Sequence, residues 1–267
     1  MDLGLRNRVY LVTGGSRGLG FAVAEALVSE GAHVVVSSRS EASAAAAASR
    51  LADSPAAAGS TAWVAADNGD PAAAARLVEA AQDRFGRLDG ALVSVGGTPS
   101  GTGLDTTDDA WRAGFEDVFL GGVRLARDFV RLVGDQSGHV SPTGSGASLV
   151  FVLAGSVRVP LPNLPLSNGL FPALAGVVKM LAGELGPRGI RLNGLLPVRI
   201  ATERVRELDA LVGDPDEVRA RQSESIPLRR YGEPEEFGRA AAFLLSPAAS
   251  FITGAMVPVD GGAIPSI

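Results

Sequence analysis

A glycine-rich turn between an apolar strand and a helix constrains the fold of this chain more than any other feature. The apolar run Val9–Val12 predicts a buried strand, and it continues into Thr13–Gly20, which reads TGGSRGLG, and then into a helical pattern. Glycines let a backbone turn sharply and approach a phosphate closely, while a helix N-terminus offers unpaired N–H groups and a positive dipole end. The turn therefore predicts a nucleotide site, although an ordinary tight turn is the alternative. Its expected ligand contacts are Gly14, Ser16, Arg17, Gly18, Leu19 and Gly20.

The rest of the chain alternates short apolar runs with helix-length segments. This alternation indicates right-handed βαβ units and a parallel sheet that carries helices on both faces. We therefore expect an α/β fold, a single Rossmann-type doubly wound domain over residues 1–267 with about seven strands. The predicted strands are Arg8–Thr13, His33–Ser37, Thr61–Ala65, Gly90–Ser94, Ser148–Leu153, Arg191–Leu195 and Met256–Val259. The predicted helices include Leu19–Ser29, Glu41–Ala52, Pro71–Phe85, Thr107–Val133 and Pro172–Leu185.

The composition argues against several classes of function. A net charge of −5 and a pI near 5.2 disfavour nucleic acid or an anionic membrane as a partner. The chain has no cysteine and only two histidines, so it lacks a thiolate nucleophile, and we expect no metal site. We see no secretory signal and no apolar run of membrane-spanning length. We therefore expect a cytoplasmic protein that binds a small molecule.

Two stretches break the alternation of strands and helices. Gly134–Ala147 is rich in glycine and serine and is expected to form a surface loop within the domain. Arg199–Arg230 is polar, carries two short helical patterns and would lie above the carboxyl ends of the strands. Ligands of open α/β sheets bind at those ends, so we interpret residues 199–230 as a lid.

Several further motifs fall in the order typical of the short-chain dehydrogenase/reductase family, which the chain resembles over nearly its whole length. The glycine turn is similar to the TGxxxGxG sequence of that family. Gly189–Asn193, which reads GIRLN, resembles the family's GIRVN stretch. Pro197–Thr202 resembles its PGxxxT segment, with Val198 in place of the glycine. Val259–Gly262 matches its VDGG ending.

The resemblance implies a nicotinamide dinucleotide cofactor and adds contacts for it. Asp67 and Asn68 follow the third strand, where the family places an Asp against the adenine ring. Gly96 and Thr202 are the corresponding contacts beyond the fourth and sixth strands. The family also commonly forms dimers and tetramers through the long helices that match Thr107–Val133 and Pro172–Leu185 here.

The end of the second strand bears on the choice between NAD(H) and NADP(H). An acidic residue there would bind the ribose hydroxyls of NAD(H), whereas a basic residue accommodates a 2′-phosphate. This chain has Arg39 at that point, and Arg17 stands in the glycine turn. Two guanidinium groups suit a phosphate, so NADP(H) is favoured over NAD(H). Two solvated arginines are the alternative.

The resemblance fails at the family's catalytic tetrad of Asn, Ser, Tyr and Lys. Counting back from Glu184–Gly186, which resembles the family's ELG, places Ser167 at the Tyr and Phe171 at the Lys. Ala154 then stands at the Ser and Phe119 at the Asn. In the family the Tyr exchanges a proton with the substrate, and the Lys lowers the pKa of that Tyr and binds the nicotinamide ribose.

No shift of the alignment restores the tetrad. Neither Tyr10 nor Tyr231, the only tyrosines, is followed four residues later by a lysine, and Lys179 is the only lysine in the chain. A positioned general acid contributes about 10²–10⁴-fold to a rate, so this loss removes most of the acid–base chemistry. Without the Lys, the nicotinamide half of a cofactor should be held more loosely than the adenosine half.

Pro172 predicts a late start for the helix that contains it, because proline has no N–H and is tolerated only in a first turn. We therefore expect that helix to begin close to Leu170 or Phe171, with Ser167 or Asn168 as its N-cap. The local backbone would then differ from that of relatives.

Three polar residues remain as weak candidates for catalysis. Ser156 and Arg158 follow the fifth strand and could face the cleft, and His139 lies in the Gly/Ser-rich loop. Solvated loop positions are the alternative for each of them. Phe115, Phe119 and Phe171 would make the cleft apolar, or else pack in the core.

Three functions are consistent with these residues. The first is a divergent enzyme that binds NADP(H) and acts on a small, largely apolar substrate by a non-standard route, which is either redox or non-redox. The second is a catalytically inactive protein that serves as a ligand-binding module or as the partner of an active relative. An ordinary ketoreductase is third, and the absence of a Tyr-x-x-x-Lys sequence argues against it.

Overall fold

A computed structural model describes residues 2–136 and 146–266, and these residues form one parallel sheet flanked by helices. The strands are β1 (Val9–Val12), β2 (His33–Ser38), β3 (Thr61–Ala65), β4 (Gly90–Ser94), β5 (Ser148–Val152), β6 (Arg191–Pro197) and β7 (Met256–Val259). Their order in the sheet is β3-β2-β1-β4-β5-β6-β7. The order reverses between β1 and β4, which opens a crevice at the carboxyl ends of these strands. The α/β doubly wound fold is thereby confirmed.

The helices occupy both faces of the sheet. They are α1 (Gly18–Ser29), α2 (Glu41–Ala52), α3 (Ala73–Phe85), α4 (Asp108–Gly114), α5 (Gly121–Gln136), α6 (Pro165–Leu185), α7 (Glu203–Ala210), α8 (Pro215–Ser225) and α9 (Pro234–Leu245). A π-helical segment, Phe115–Leu120, joins α4 to α5, and a single 3₁₀ turn, Gly155–Val157, follows β5.

Alternate side chains of the central strands enter two separate apolar cores. Val9 and Leu11 of β1 pack with α3, α5 and α6 on one face of the sheet. Tyr10 and Val12 pack with α1, α2 and α9 on the other face. A strand with helices on both sides must be apolar throughout, which explains why these strands read as continuous apolar runs rather than as alternating ones.

The predicted helix Thr107–Val133 is wrong as a single regular element. The structure divides it into α4, the π-helical segment and α5, which together run to Gln136. Glycines allow the close contacts around this segment, since a Cβ on Gly121 would lie 2.7 Å from the carbonyl oxygen of Asn68. The extra residue of a π-helical turn shifts the face that a helix presents, and such turns are frequent at functional sites.

The predicted start of α6 is also wrong. The helix begins at Pro165, and Pro172 lies inside it, so Ser167 is a buried helical residue and neither Ser167 nor Asn168 is an N-cap. Pro165 suits the first turn, while Pro172 leaves only the carbonyl of Asn168 without its helical donor. The side chain of Asn168 binds both the N–H and the carbonyl of Leu161, at 2.8 Å each, and fixes the preceding segment.

Helix α6 also corrects the expectation that no apolar run reaches membrane-spanning length. An 18-residue window within the helical stretch Pro165–Arg188 has a mean hydropathy of 1.3, and the stretch is long and apolar enough to cross a membrane by length and composition. In the fold, Leu170, Leu174 and Val178 of this helix are buried in the core. Core helices of α/β domains have the same composition, because they pack against a sheet along much of their length.

The predicted surface loop Gly134–Ala147 lies largely outside the described residues, and His139 is among those not described. Helix α5 extends through Gln136, so the first residues of the predicted loop are helical.

Arg191 at the start of β6 fixes the C-terminal end of α9. Its guanidinium is buried and donates to the carbonyls of Leu244 and Ser246, each at 2.9 Å. Burial lowers the pKa of Arg191, but the helix C-terminus that it caps favours the cation. Ser148 of β5 donates to the same Leu244 carbonyl at 3.2 Å. These bonds attach α9, which packs on α1, to the central strands.

We predict that Arg191→Met lowers the free energy of unfolding by about 2–4 kcal/mol, because it leaves several buried carbonyls without a donor. Urea denaturation measures the change. Arg188→Met is the matched control, because Arg188 is exposed and its side chain makes, among the described residues, only a long hydrogen bond of 3.4 Å to Val130. Equal stability of the two variants would contradict the capping role of Arg191.

Candidate functional site

The crevice between β1 and β4 gathers most of the residues predicted to contact a ligand. The glycine turn follows β1, Arg39 follows β2, and Asp67 and Asn68 follow β3. Gly96 follows β4, and Thr202 begins α7 beyond β6. All of these positions therefore lie at the carboxyl edge of the sheet, where open α/β proteins bind ligands.

The glycine turn has the backbone geometry of a phosphate cradle. Gly14 and Gly18 have positive φ values of 60° and 56°, which disfavour any residue with a side chain. A Cβ on Gly20 would lie 2.3 Å from the carbonyl oxygen of Gly14, so only glycine lets α1 approach the turn this closely. No side chain caps the N-terminus of α1, whose N-cap position is Arg17. The first N–H groups of α1 therefore have the arrangement that binds an anion.

Thr13 holds the two strands of the crevice together. Its hydroxyl donates to the carbonyl of Ser94 at 2.9 Å and accepts from the N–H of Ser94 at 2.8 Å. The side-chain amide of Asn68 donates to the same Ser94 carbonyl at 3.1 Å. Asn68 thus supports the end of β4, a role that the sequence did not reveal.

Arg39 and two carboxylates lie near the ends of β2 and β3. The side chain of Arg39 is exposed, and within the described part of the chain it has no ion-pair partner. Burial and then the carboxylate of Asp67 raise the pKa of Asp117, while the charge of Arg39 opposes them. Asp67 accepts from the N–H of Gly69 at 3.1 Å, which forms a tight turn. Arg39 is therefore a free cation with acidic neighbours.

Arg17, by contrast, has a partner that the sequence did not suggest. Its guanidinium lies 2.7 Å from the carboxylate of Glu203 in the first turn of α7, and both side chains are exposed. Exposed ion pairs contribute only about 0–1 kcal/mol, so a phosphate group could replace Glu203 as the partner of Arg17. The same helix carries Arg204, which donates to the carbonyl of Thr98 at 2.9 Å. Helix α7 thus spans from the glycine turn to the loop after β4.

The segment that carries α7 is attached to the domain by a buried ion pair. The carboxylate of Asp209 is buried and accepts from Arg199 at 2.7 Å and from the hydroxyl of Tyr231 at 3.0 Å. The backbone of Ile200 also pairs with that of Gly232. Residues 199–230 therefore begin and end at one anchored point, with α7 and α8 between.

The four positions that match the family's tetrad hold no proton donor that is free for a ligand. Phe171 is 5% exposed and belongs to the core that lies under α6. Phe119 is partly buried in the π-helical segment, and its ring stacks on that of Phe115 with centroids 5.0 Å apart. Ala154 directly precedes the 3₁₀ turn that follows β5, and it carries only a methyl group.

Ser167, the fourth position, forms a closed pair with Ser156. The two hydroxyl oxygens are 2.9 Å apart, and Ser156 donates to the carbonyl of Ser167 at 3.0 Å. A hydroxyl has one proton, so Ser167 must donate to Ser156 in this arrangement. Both residues are nearly inaccessible, at 3% and 5% exposed. The pair ties the turn after β5 to α6 and leaves neither proton for a substrate.

Two further polar residues are Arg158 and Lys179. Arg158 is exposed at the end of the 3₁₀ turn. Lys179 lies against the loop before β7, since a Cβ on Gly254 would be 3.0 Å from its Nζ. Lys179 lies twelve positions after Ser167 in α6, or roughly 18 Å along the axis, so this lysine does not reach the site.

A cavity of about 350 Å³ opens beside the start of α6. Pro165 and Leu166 form one wall, and the loop after β4 together with Thr107 and Ala110 forms the other. Asp105 is the one ionised residue among its lining residues, and it is hydrogen-bonded to Thr102. The cavity has the size of a small-molecule site and ends one residue from Ser167.

Known proteins identify the family. Residues 14–263 match a family model described as enoyl-(acyl carrier protein) reductase. An uncharacterized oxidoreductase of Mycobacterium tuberculosis (strain CDC 1551 / Oshkosh) is 34% identical over 263 residues, which are 97% of this chain and 92% of that protein. Human dehydrogenase/reductase SDR family member 4 is 33% identical over 260 residues, covering 97% and 88%. The chain belongs to the short-chain dehydrogenase/reductase family. The family that the motifs indicated is therefore confirmed.

A solved structure of the same family agrees with the fold along the whole chain. L-Sorbose reductase from Gluconobacter frateurii, in complex with NADPH and L-sorbose, has a TM-score of 0.90 to this chain. The two proteins are 28% identical, and the match covers 100% of each. The short-chain dehydrogenase/reductase fold therefore extends from the glycine turn to the VDGG ending.

We predict that stability falls as the pH rises above 10.0, the ordinary pKa of tyrosine. Burial raises the pKa of Tyr231 to about 12; the hydrogen bond to Asp209 adds to this effect, and the charge of Arg199 opposes it. Burial also raises the pKa of Tyr10. Because the pKa of each tyrosine is higher in the folded protein than in the unfolded one, the unfolded protein loses its proton first as the pH rises. The contribution of this proton to stability is therefore complete below pH 10.0 and is lost as the pH rises toward the folded-state pKa. Tyrosinate absorbance of folded and urea-unfolded protein measures both pKa values.

The variant Tyr231→Phe should remove part of this loss of stability, because Tyr10 is the only other tyrosine in the chain. If the folded and unfolded proteins titrated with the same midpoint, the burial of both hydroxyls would be contradicted.

Proposed function

We propose that this chain binds NADP(H) in the crevice between β1 and β4. The observation that carries the proposal is the intact cradle, in which glycines bring the uncapped N-terminus of α1 to the end of β1. Gly14, Ser16, Gly18, Leu19 and Gly20 would hold the pyrophosphate there. The NADPH-bound L-sorbose reductase, which has the same fold over its whole length, supports this ligand.

The remaining predicted contacts would surround the adenosine half. Asp67 and Asn68 lie where the adenine ring is expected, and Arg39 is the cation for a 2′-phosphate. Arg17 would join Arg39 once it leaves Glu203. Asp67 and Asp117 weaken the attraction of this region for a phosphate, so the preference for NADP(H) over NAD(H) depends on Arg39. Gly96 and Thr202 lie on the opposite side of the crevice.

We predict that Arg39→Ala weakens NADPH binding by about tenfold to a hundredfold, the contribution of one or two charge-assisted hydrogen bonds. NADH lacks the 2′-phosphate, so its affinity should stay the same. Isothermal titration calorimetry measures both ligands. Arg131→Ala is the control, because Arg131 is an exposed arginine of α5 that pairs with Asp128. An unchanged affinity of Arg39→Ala for NADPH would show that the 2′-phosphate is bound elsewhere.

The protein would use this nucleotide without the proton transfer of the family's Tyr–Lys pair. Ser167 is engaged with Ser156, and Phe171 is a core residue. The cavity beside α6 would then bind a small, largely apolar substrate, and its reaction would be a redox step with another proton donor or a non-redox step such as dehydration or isomerisation. Residues 199–230 would act as the lid, since α7 lies against both the glycine turn and the loop after β4.

We predict that the purified protein oxidises NADPH negligibly with a broad panel of ketones and aldehydes, because the four positions that match the family's tetrad carry no free group that can protonate a developing alkoxide. Absorbance of the reduced nicotinamide measures turnover, and an active ketoreductase assayed in parallel is the positive control. Robust turnover of any simple ketone would contradict this part of the proposal.

A second candidate is an inactive subunit that pairs with a copy of itself or with an active relative. The observation that favours it is the exposure of large apolar side chains on the helices that commonly form the family's interfaces, Phe115 in the π-helical segment and Met180 in α6. A homodimer or homotetramer would cover them, and so would a hetero-oligomer. Sedimentation of the chain alone and mixed with an active relative distinguishes these assemblies.

A further inference from the structure

The strand order divides the crevice into two halves, and this division carries an inference that rests on the proposed NADP(H) function. A dinucleotide in a doubly wound fold spans the point where the strand order reverses. Its adenosine half lies over β1, β2 and β3, and its nicotinamide half lies over β4, β5 and β6. The two halves of the crevice in this chain differ in what fills them.

The half over β1 to β3 is open. Gly14 and Arg39 are exposed to solvent, and no described carboxylate lies within ion-pair distance of Arg39. A Cβ on Gly18 would contact only Thr202, at an ordinary 3.7 Å. The groups expected to bind phosphates and adenosine are thus accessible without rearrangement of the backbone.

Two half-buried aliphatic side chains line the half over β5 and β6. Val198, which follows β6, packs directly on Gly155, which follows β5, so that a Cβ on Gly155 would lie 2.7 Å from Cγ2 of Val198. Ile264, from the C-terminal segment, lies beside them, and its Cδ1 would be 3.6 Å from the same Cβ on Gly155. These two side chains, Val198 and Ile264, are called the aliphatic wall below.

The C-terminal segment is fixed so that Ile264 keeps this position. One carboxylate oxygen of Asp260 accepts from the N–H of Ile264 at 2.7 Å, and the other accepts from the N–H of Gly262 at 2.9 Å. Gly261 and Gly262 both have positive φ values, which turn the chain back over the sheet. The turn at Asp260 therefore fixes the position of Ile264 in the aliphatic wall.

Polar groups in this half of the crevice are hydrogen-bonded within the protein. The hydroxyls of Ser156 and Ser167 form their closed pair, and Arg204 donates to the carbonyl of Thr98. The hydroxyl of Thr202 accepts from Val205 as the cap of α7. A nicotinamide carboxamide that bonded to the serine pair would have to break it, at the cost of leaving a buried hydroxyl unpaired.

We propose that the aliphatic wall excludes the nicotinamide ring, so that the site recognises the 2′-phosphoadenosine diphosphate group and gains little affinity from nicotinamide. The ligand class is then adenosine diphosphates that carry a 2′-phosphate, with or without a nicotinamide ribose. A cofactor bound in this way leaves its ring in solvent, which favours the non-redox alternative of the proposed function.

The first test compares the affinities of NADPH and 2′-phospho-ADP-ribose, which lacks the nicotinamide ring, by calorimetry. The two ligands should bind within about twofold of each other, because the ring makes few contacts. The fluorescence of the reduced nicotinamide should also stay that of NADPH in water when the complex forms. An affinity for NADPH more than about tenfold above that for 2′-phospho-ADP-ribose would show that the aliphatic wall does not exclude the nicotinamide ring, and the proposed function would still stand. Failure of both ligands to bind would contradict the proposed function itself, together with the inference about the aliphatic wall.

The second test opens the wall with Val198→Gly and, separately, with Ile264→Ala. Each variant should bind NADPH at least about threefold more tightly than 2′-phospho-ADP-ribose and raise the nicotinamide fluorescence, while its affinity for 2′-phospho-ADP-ribose stays unchanged. Ile264→Val keeps the aliphatic contact and should behave like the original protein. Unchanged fluorescence and an unchanged ratio of affinities in both opened variants, with folding verified by circular dichroism, would overturn the inference.

Discussion

The approach of α1 to the glycine turn is the contact on which the rest of the site depends. A Cβ on Gly20 would lie 2.3 Å from the carbonyl of Gly14, so this contact exists only because position 20 is glycine. It places the uncapped N-terminus of α1 at the end of β1, and Thr13 then binds Ser94 to hold β4 alongside. The crevice is thus a consequence of backbone packing, and it needs no catalytic side chain to persist.

That independence means that the nucleotide cradle does not depend on the side chains at the positions that match the family's tetrad. The cradle consists of backbone N–H groups and glycines, whereas proton transfer in the family depends on side chains that project from other elements. At the matching positions, Ser167 is bonded to Ser156 and Phe171 packs in the core. Both replacements stabilise the domain where they stand: the serine pair ties β5 to α6, and the phenylalanine fills space under the sheet.

The errors of the sequence-based predictions have specific physical causes. The start of α6 was placed near Leu170 because proline is rare inside helices, but Pro165 begins the helix and Pro172 removes only one of its hydrogen bonds. The π-helical segment was missed because its extra residue hardly changes the apolar pattern, while the contact of Gly121 with Asn68 is between residues far apart in the chain. Glu203 was not expected to pair with Arg17, because a salt bridge across 186 positions leaves no local signal.

The sequence by itself determined the order of strands and helices, the parallel sheet, the glycine turn and the absence of any Tyr-x-x-x-Lys pair, because each of these depends on local spacing or on residue identity. Only the tertiary structure decided what those residues do together. In the folded protein Ser156 is hydrogen-bonded to Ser167, and Asp209 attaches residues 199–230 to the domain. Val198 and Ile264 pack against Gly155. Such contacts join elements that are distant in sequence, and their geometry is set by how the helices and loops pack on the sheet.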